Sequence, residues 1–367
     1  MSTMSKTLLP DAVSLFVMTT LKDVAKRAGV SAKTVSRVVN RDPLVAEVTR
    51  AAVQRLVDEL NYVPNAAAQQ MRTQSSRTVG FLTDVIATTP YSVDIIRGVQ
   101  EELRAEGRSM MIANSGGAPE QEAEYWRMFR AQRAAGAIYA TMYHRPVDLG
   151  EIDFAGPLVL VNCYDRKHRY PAVLPDDLAG GCTQAKYLIE LGHRRIGLVS
   201  LNPVIRAADL RRDGITKAHK QSGLSFNDAL ARPGMVGRPG GGERLVAYEA
   251  ARELLTGRNR PTAIICGHDQ IALQVMAAAA DCGLSVPGDL SIVGFDDQPT
   301  ITDALRPALT TVALPYYQMG RAATLILNTL IAGGDAPLKP LLVPCPLVIR
   351  QSCCPPETTS RARRRRN

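Results

Sequence analysis

Between residues 21 and 60, apolar positions recur at helical spacing in three short blocks. Leu21, Val24, Ala25 and Ala28 fall at i, i+3, i+4 and i+7, the apolar face of a first helix. Gly29 suits a left-handed stop for that helix, and Ser31 suits the N-cap of the next. In the second block Ala32, Val35 and Val38 or Val39 point inward, and in the third Val53, Leu56, Val57 and Leu60 share one face. Three helices of this size predict a minimal bundle. Residues 65–72 hold good helix formers over only two turns. Isolated helices below about 12–15 residues are marginal in water, so this stretch reads as a linker with short helical potential.

From Val79 the period changes. Short β-rich runs alternate with amphipathic helices: "VGFLTDV", a helix near 91–106, "MMIAN", a helix near 119–133, "GAIYATM", "PLVLVN", a helix near 177–191, "IGLVS" and a helix near 208–222. The series continues with a helix near 242–256, "TAIICG", a helix near 269–282, "LSIVGFDD", "TTVALP", a helix near 316–332 and "LLVPCPLVIR". Such alternation predicts a parallel α/β body large enough for two doubly wound lobes. Ligands in such folds bind beyond the C-terminal ends of strands or between lobes.

Composition narrows the class. With 367 residues, 46% hydrophobic and 22% charged, the chain is globular and can bury more than one core. No apolar run reaches the roughly 20 residues that span a bilayer, so no membrane partner is expected. The first twenty residues carry a short apolar patch interrupted by Pro10 and Asp11, with no cleavage site after it. Residues 1–19 are expected to be a disordered extension, and Met18 offers an alternative start. The seven cysteines lack metal-ligand spacing and form an odd count. They read as free thiols in a reducing, cytoplasmic setting, most of them small core residues. No metal and no cofactor is expected.

The net charge of +9 matters through its placement. Residues 21–77 hold ten Lys/Arg against five Asp/Glu, and the terminal "RARRRRN" adds five Arg, which leaves the body near neutral. A basic head and a basic tail on a neutral body point to a polyanion at the ends.

The second predicted helix, in "VSAKTVSRVVN", carries Lys33 and Arg37 one turn apart and no carboxylate. They share an exposed face with Thr34 and Asn40. A helix, a tight turn and a basic second helix is the geometry that enters a major groove. Lys and Arg can donate to guanine O6 and N7, and hydroxyls to phosphates.

"TLKDVAKRAGVSAKTVSRVVN" followed by "LNYVPNAAAQQM" resembles the headpiece and hinge of the LacI/GalR family of bacterial transcriptional regulators, with support from "LIELGHRRIGLVS" and "VPGDLSIVGFDD". The resemblance runs from about Thr20 to Arg350. It implies an N-terminal all-α helix-turn-helix headpiece on an α/β two-lobed, periplasmic-binding-protein-like body, a homodimer, and double-stranded, pseudo-palindromic operator DNA. A small-molecule effector of the sugar or sugar-acid class is expected between the lobes. The expected boundaries are 20–64 for the headpiece, 65–77 for the hinge and 78–350 for the body. One lobe is expected over 78–174 and 312–340, the other over 175–311 and 341–350, with a disordered basic tail over 351–367.

By the resemblance Ala32, Lys33 and Arg37 read bases, and Ala32 can only touch a thymine methyl. The full DNA-facing set is Thr20, Leu21, Ser31, Ala32, Lys33, Thr34, Ser36, Arg37, Asn40, Tyr62, Asn65, Ala68 and Met71. Met71 stands where the family has a wedging Leu. Ala46 stands where the family usually has a Ser capping the third helix, with Thr49 or Asp42 as candidate substitutes. The effector-facing set is Tyr91, Asn162, Arg211, His268 and Asp296. His268 replaces the family's usual Asn, and a protonatable His268 beside Arg211 would favour an anion.

Competing functions find less support. No G-x-G-x-x-G follows "VGFLTDV", no G-x-S-x-G or H-E-x-x-H occurs, and "GRPGGGER" lacks the Lys-Ser/Thr of a phosphate loop; it reads as a mobile surface loop. An enzyme is therefore not expected. A transport binding protein leaves residues 20–72 unexplained, and an activator of the same family stays open.

Overall fold

The computed structural model describes residues 19–63, 76–89, 92–238 and 242–356. Asn65, Ala68, Met71 and Tyr91 lie outside the described residues, as does the Arg-rich end of the chain. The chain divides into two compact units, Met1–Ser75 and Ser76–Asn367.

The first unit holds three helices: α1 (Leu21–Ala28), α2 (Ala32–Val39) and α3 (Glu47–Glu59). Thr20 and Asp23 cap the start of α1 reciprocally, the Asp23 carboxylate accepting from the Thr20 amide at 2.8 Å. Gly29 stops α1 at φ 65°, and Ser31 accepts from the Thr34 amide at 3.1 Å to start α2. Val24, Ala25, Val35, Val38, Val53, Val57 and Tyr62 form the core. Ala32, expected inside, is exposed, because position one of a helix this short lies ahead of the Val35–Val38 seam.

The second unit is built on two six-stranded sheets. The first contains β1 (Thr78–Thr83), β2 (Ser109–Asn114), β3 (Ala137–Val147), β4 (Leu158–Asp165), β5 (Ala172–Pro175) and β13 (Leu341–Val343), in the order β13-β5-β4-β3-β1-β2. The second contains β6 (Ile196–Ser200), β7 (Ala231–Pro233), β10 (Ala263–Cys266), β11 (Ser291–Asp296), β12 (Thr310–Ala313) and β14 (Leu347–Val348), in the order β14-β12-β11-β10-β6-β7. Every neighbouring pair is parallel except β12 with β14. Buried-on-both-faces strands such as "AIIC" and "LVLVN" follow from helices covering both sides.

The helices follow in the same order: α4 (Val93–Ala105), α5 (Pro119–Ala131), α6 (Asp177–Glu190), α7 (Arg206–Gln221), α8 (Ala247–Thr256), α9 (Asp269–Asp281), the short α10 (Pro299–Thr302) and α11 (Tyr316–Ile331). The helix expected near 242–256 begins only at Ala247. Its first residues instead pair as β9 (Arg244–Leu245) with β8 (Met235–Val236) in a small hairpin. Helices α6 and α7 approach at glycines. A Cβ on Gly181 would run into the Arg211 backbone, and one on Gly214 into the Leu178 carbonyl.

Two expected lobe boundaries are corrected. Strand β12 lies wholly in the second sheet, so the chain returns to the first lobe after Ala313 rather than at residue 312. The run "LLVPCPLVIR" is divided: β13 extends the first sheet and β14 the second. Pro344 and Pro346, which cannot donate to a ladder, sit between them. Residues 351–356, expected to belong to the disordered tail, pack on the second lobe instead. The Ser352 amide carbonyl accepts from Ile292 at 2.9 Å, its hydroxyl accepts from the Thr310 amide at 2.8 Å, and Cys354 accepts from His193 at 2.9 Å.

Candidate functional site

The headpiece surface is shaped by α2. Ala32, Lys33, Arg37 and Asn40 are exposed, with Thr34 and Ser36 half-buried beside them. The cap hydroxyls are already engaged: Ser31 Oγ lies 2.9 Å from Thr34 Oγ1, and Asn40 Nδ2 donates to the Ser36 carbonyl at 2.5 Å. Thr20 is exposed and Leu21 half-buried at the start of α1. Tyr62 is 9% exposed and belongs to the core, so its ring is first a packing element.

Asp42 is a residue the sequence reading undervalued. Its carboxylate lies 3.0 Å from Arg37 Nε, so the one arginine of α2 carries a partner just beyond the helix end. Neither Asp42 nor Thr49 replaces the missing cap, and Ala46 makes no side-chain capping bond. Arg50 steadies that turn instead, donating to the carbonyls of Asp42 at 2.8 Å and Val45 at 3.2 Å.

In the second unit a cavity of about 270 Å³ opens between the two sheets. Its wall includes Met142, Tyr143, His144 and Asn162 from the first lobe, and Asp177, Arg211, Glu243, His268, Asp296 and Gln298 from the second. Arg211 is 7% exposed. Its Nε donates to Asp177 at 2.7 Å, a second nitrogen donates to the Gly267 carbonyl at 2.5 Å, and the guanidinium lies 3.5 Å from the Phe295 ring centroid. The other Asp177 oxygen is 2.7 Å from His144 Nδ1, a contact that crosses from lobe to lobe. Burial opposes the Asp177 charge, but Arg211 and His144 outweigh it and hold the carboxyl below its ordinary range.

A second cross-lobe contact joins Tyr143, whose hydroxyl donates to Glu243 at 2.8 Å, while Asn202 donates to the other Glu243 oxygen at 2.8 Å. Asn162, within β4, and Asp296, at the end of β11, have φ 57° and 107°, a left-handed conformation that non-glycine residues seldom hold and that clusters at functional sites. Both Asn162 amide hydrogens are committed, to the Thr141 and Met142 carbonyls at 3.0 and 2.9 Å.

His268 caps α9, its Nδ1 accepting from the Ile271 amide at 3.0 Å, which leaves the neutral ring's proton on Nε2. Burial, aided by the nearby Arg211 charge, pushes its pKa down to about 4. The expected protonatable cation is therefore absent at neutral pH, and Arg211 is already paired. The site brings together Asn162, Arg211, His268 and Asp296, as expected. Sequence reasoning missed His144, Asp177 and Glu243; ionisable residues in "YHR" and "PDD" at strand ends were the available signals.

A sequence profile for bacterial regulatory proteins of the lacI family matches residues 20–65, and one for a periplasmic binding protein-like domain matches residues 185–353. The chain is 31% identical over 321 residues to the transcriptional repressor PurR of Serratia proteamaculans, covering 86% of this chain and 91% of that protein. The chain belongs to the LacI family. PurR of Pectobacterium atrosepticum is 32% identical over 83% of the chain and 88% of its own length. A LacI-family protein of Rhizobium etli is 45% identical, with a TM-score of 0.73 over 76% of this chain and 99% of that one. The lac repressor dimer bound to operator and the anti-inducer ONPF is 26% identical, with a TM-score of 0.77 over 92% of this chain and 99% of that one. As a LacI-family member, the chain is a DNA-binding transcriptional regulator controlled by a small molecule.

Proposed function

We propose that the protein is a cytoplasmic, homodimeric repressor that reads a pseudo-palindromic operator through α2. Lys33 and Arg37 hydrogen-bond base edges, Ala32 touches a thymine methyl, and the hydroxyls around them hold phosphates. The observation that carries this reading is the exposed, acid-free face of α2, capped at Ser31 and pinned to the core by Val35 and Val38. A dimer presents two such faces to half-sites about one DNA turn apart.

The inter-lobe cavity takes a small polar effector of sugar size. Its volume of about 270 Å³ lies at the lower edge of the roughly 300–1,000 Å³ usual for small-molecule sites. An acidic effector is disfavoured, since Asp177, Glu243 and Asp296 share the wall with one paired guanidinium. Effector and operator each favour one arrangement of the lobes, with a reciprocal coupling of about 1–3 kcal/mol.

Selection from a randomised duplex library, followed by footprinting with a metabolite panel, tests the reading. A two-fold-related motif whose occupancy a small molecule changes is expected. Equal binding to all duplexes would reject it.

A further inference from the structure

Resting on the reading of the inter-lobe cavity as the effector site, we propose that the effector carries a cationic nitrogen, bound by Asp296 and Glu243. The ionisable groups of the wall are Tyr143, His144, Asp177, Arg211, Glu243, His268, Asp296 and Tyr316. Among the described residues three are carboxyl groups and only one is an obligate cation. His268 is neutral because its Nδ1 accepts the Ile271 amide.

Part of the wall's donor set is already committed. Arg211 donates through Nε to Asp177 and through a second nitrogen to Gly267, Asn162 gives its amide hydrogens to Thr141 and Met142, and Tyr143 gives its hydroxyl hydrogen to Glu243. Acceptors are left over. Gln298 Oε1 is buried without a partner. The nearest Asp296 oxygen stands 3.8 Å from Arg211, too far for a direct hydrogen bond. Each Glu243 oxygen accepts one bond and keeps a further lone pair.

A hydroxyl offers one hydrogen to these acceptors and no charge to the carboxylates. An ammonium group donates three hydrogens and needs no acceptor satisfied in return. It also supplies the missing positive charge, and the Tyr143 and Tyr316 rings in the wall suit a cation. Burial holds the Asp296 carboxyl well above its usual range, with Asp269 and Asp177 adding to the effect against the pull of Arg211. A bound cation opposes that shift.

Titration calorimetry of the full chain with matched probes tests the proposal. Glucose, glucosamine and gluconate form one set, and an inositol, its aminocyclitol and its carboxylate form a second. An amino member is expected to bind at least tenfold tighter than its neutral twin. Glu243→Gln and Asp296→Asn should each bring that ratio towards one, and Asp296→Asn should raise the melting temperature of the unliganded protein. Neutral or acidic members binding as tightly as their amino twins, or no amino probe binding at millimolar concentration, would overturn the proposal. So would a lowered melting temperature in Asp296→Asn. A neutral probe that shifts operator affinity would leave the effector site standing while removing the cation.

Discussion

His144 of the first lobe places Nδ1 2.7 Å from the Asp177 carboxylate of the second. The contact is buried on both sides and shares its carboxylate with Arg211, so the two lobes meet at a group that also holds the pocket arginine. Hydrogen bonds to charged groups contribute about 1.5–3 kcal/mol. His144→Ala should therefore loosen lobe closure, seen as a larger radius in solution scattering, with weaker effector binding and the headpiece fold unchanged. Identical scattering for both proteins would deny His144 that role.

Arg37 and Asp42 form an ion pair in the headpiece without DNA, so operator binding must exchange one partner for another. Arg37→Ala should cost about 1–3 kcal/mol and relax one base position. Asp42→Asn should strengthen binding to all duplexes, since it removes both the competitor and a negative charge near phosphate. Affinity measurements on single-base operator variants separate the two effects. A uniform loss with Arg37→Ala would assign that side chain to phosphate.

The uncapped start of α3 offers a stabilising change. Ala46→Ser should raise headpiece stability by about 0.5–2 kcal/mol, read from urea unfolding followed at the helical signal. No gain would mean that the bonds from Arg50 already fix this turn.

His268 gives the stability a pH dependence of known sign. Its folded pKa is about 4 against 6.5 for the free group, so the unfolded chain binds the proton more readily between these values. Stability is retained above about 6.5 and falls as the pH drops towards 4. His268→Asn keeps a cap for α9 without the titration. It should remove on the order of 1–3 kcal/mol of the acid-side loss, measured by thermal unfolding between pH 7 and 4.5.

Gly181 holds α6 against the Arg211 backbone. Gly181→Ala should cost about 1–3 kcal/mol by overpacking and displace the guanidinium from Asp177. Calorimetric unfolding and effector affinity should fall together.

Much of this was legible because it is local. The cap at Ser31, the stop at Gly29 and the spacing of Val24, Val35 and Val53 involve residues within a turn or two of each other. Most strands and helices of the body followed from the same periodicities, but β5 and β7 did not. What escaped depends on distant partners. "LLVPCPLVIR" has strand propensity throughout, but nothing in it says that Leu341 joins Val173 while Leu347 joins Val312. Glu243 looked like one charge in a glycine-rich loop, and its meaning comes from Tyr143, one hundred positions away. His268 was read for its capacity to ionise, and only the Ile271 amide and the burial around it decide otherwise.

The backbone passes from one sheet to the other three times, after β5, after β12 and after β13. Neither lobe is thus a continuous piece of polypeptide. A single protease cut anywhere in the body leaves fragments that each lack strands the other owns, so a nicked molecule should remain associated until denatured. Attempts to express one lobe alone should need stitched segments rather than a truncation.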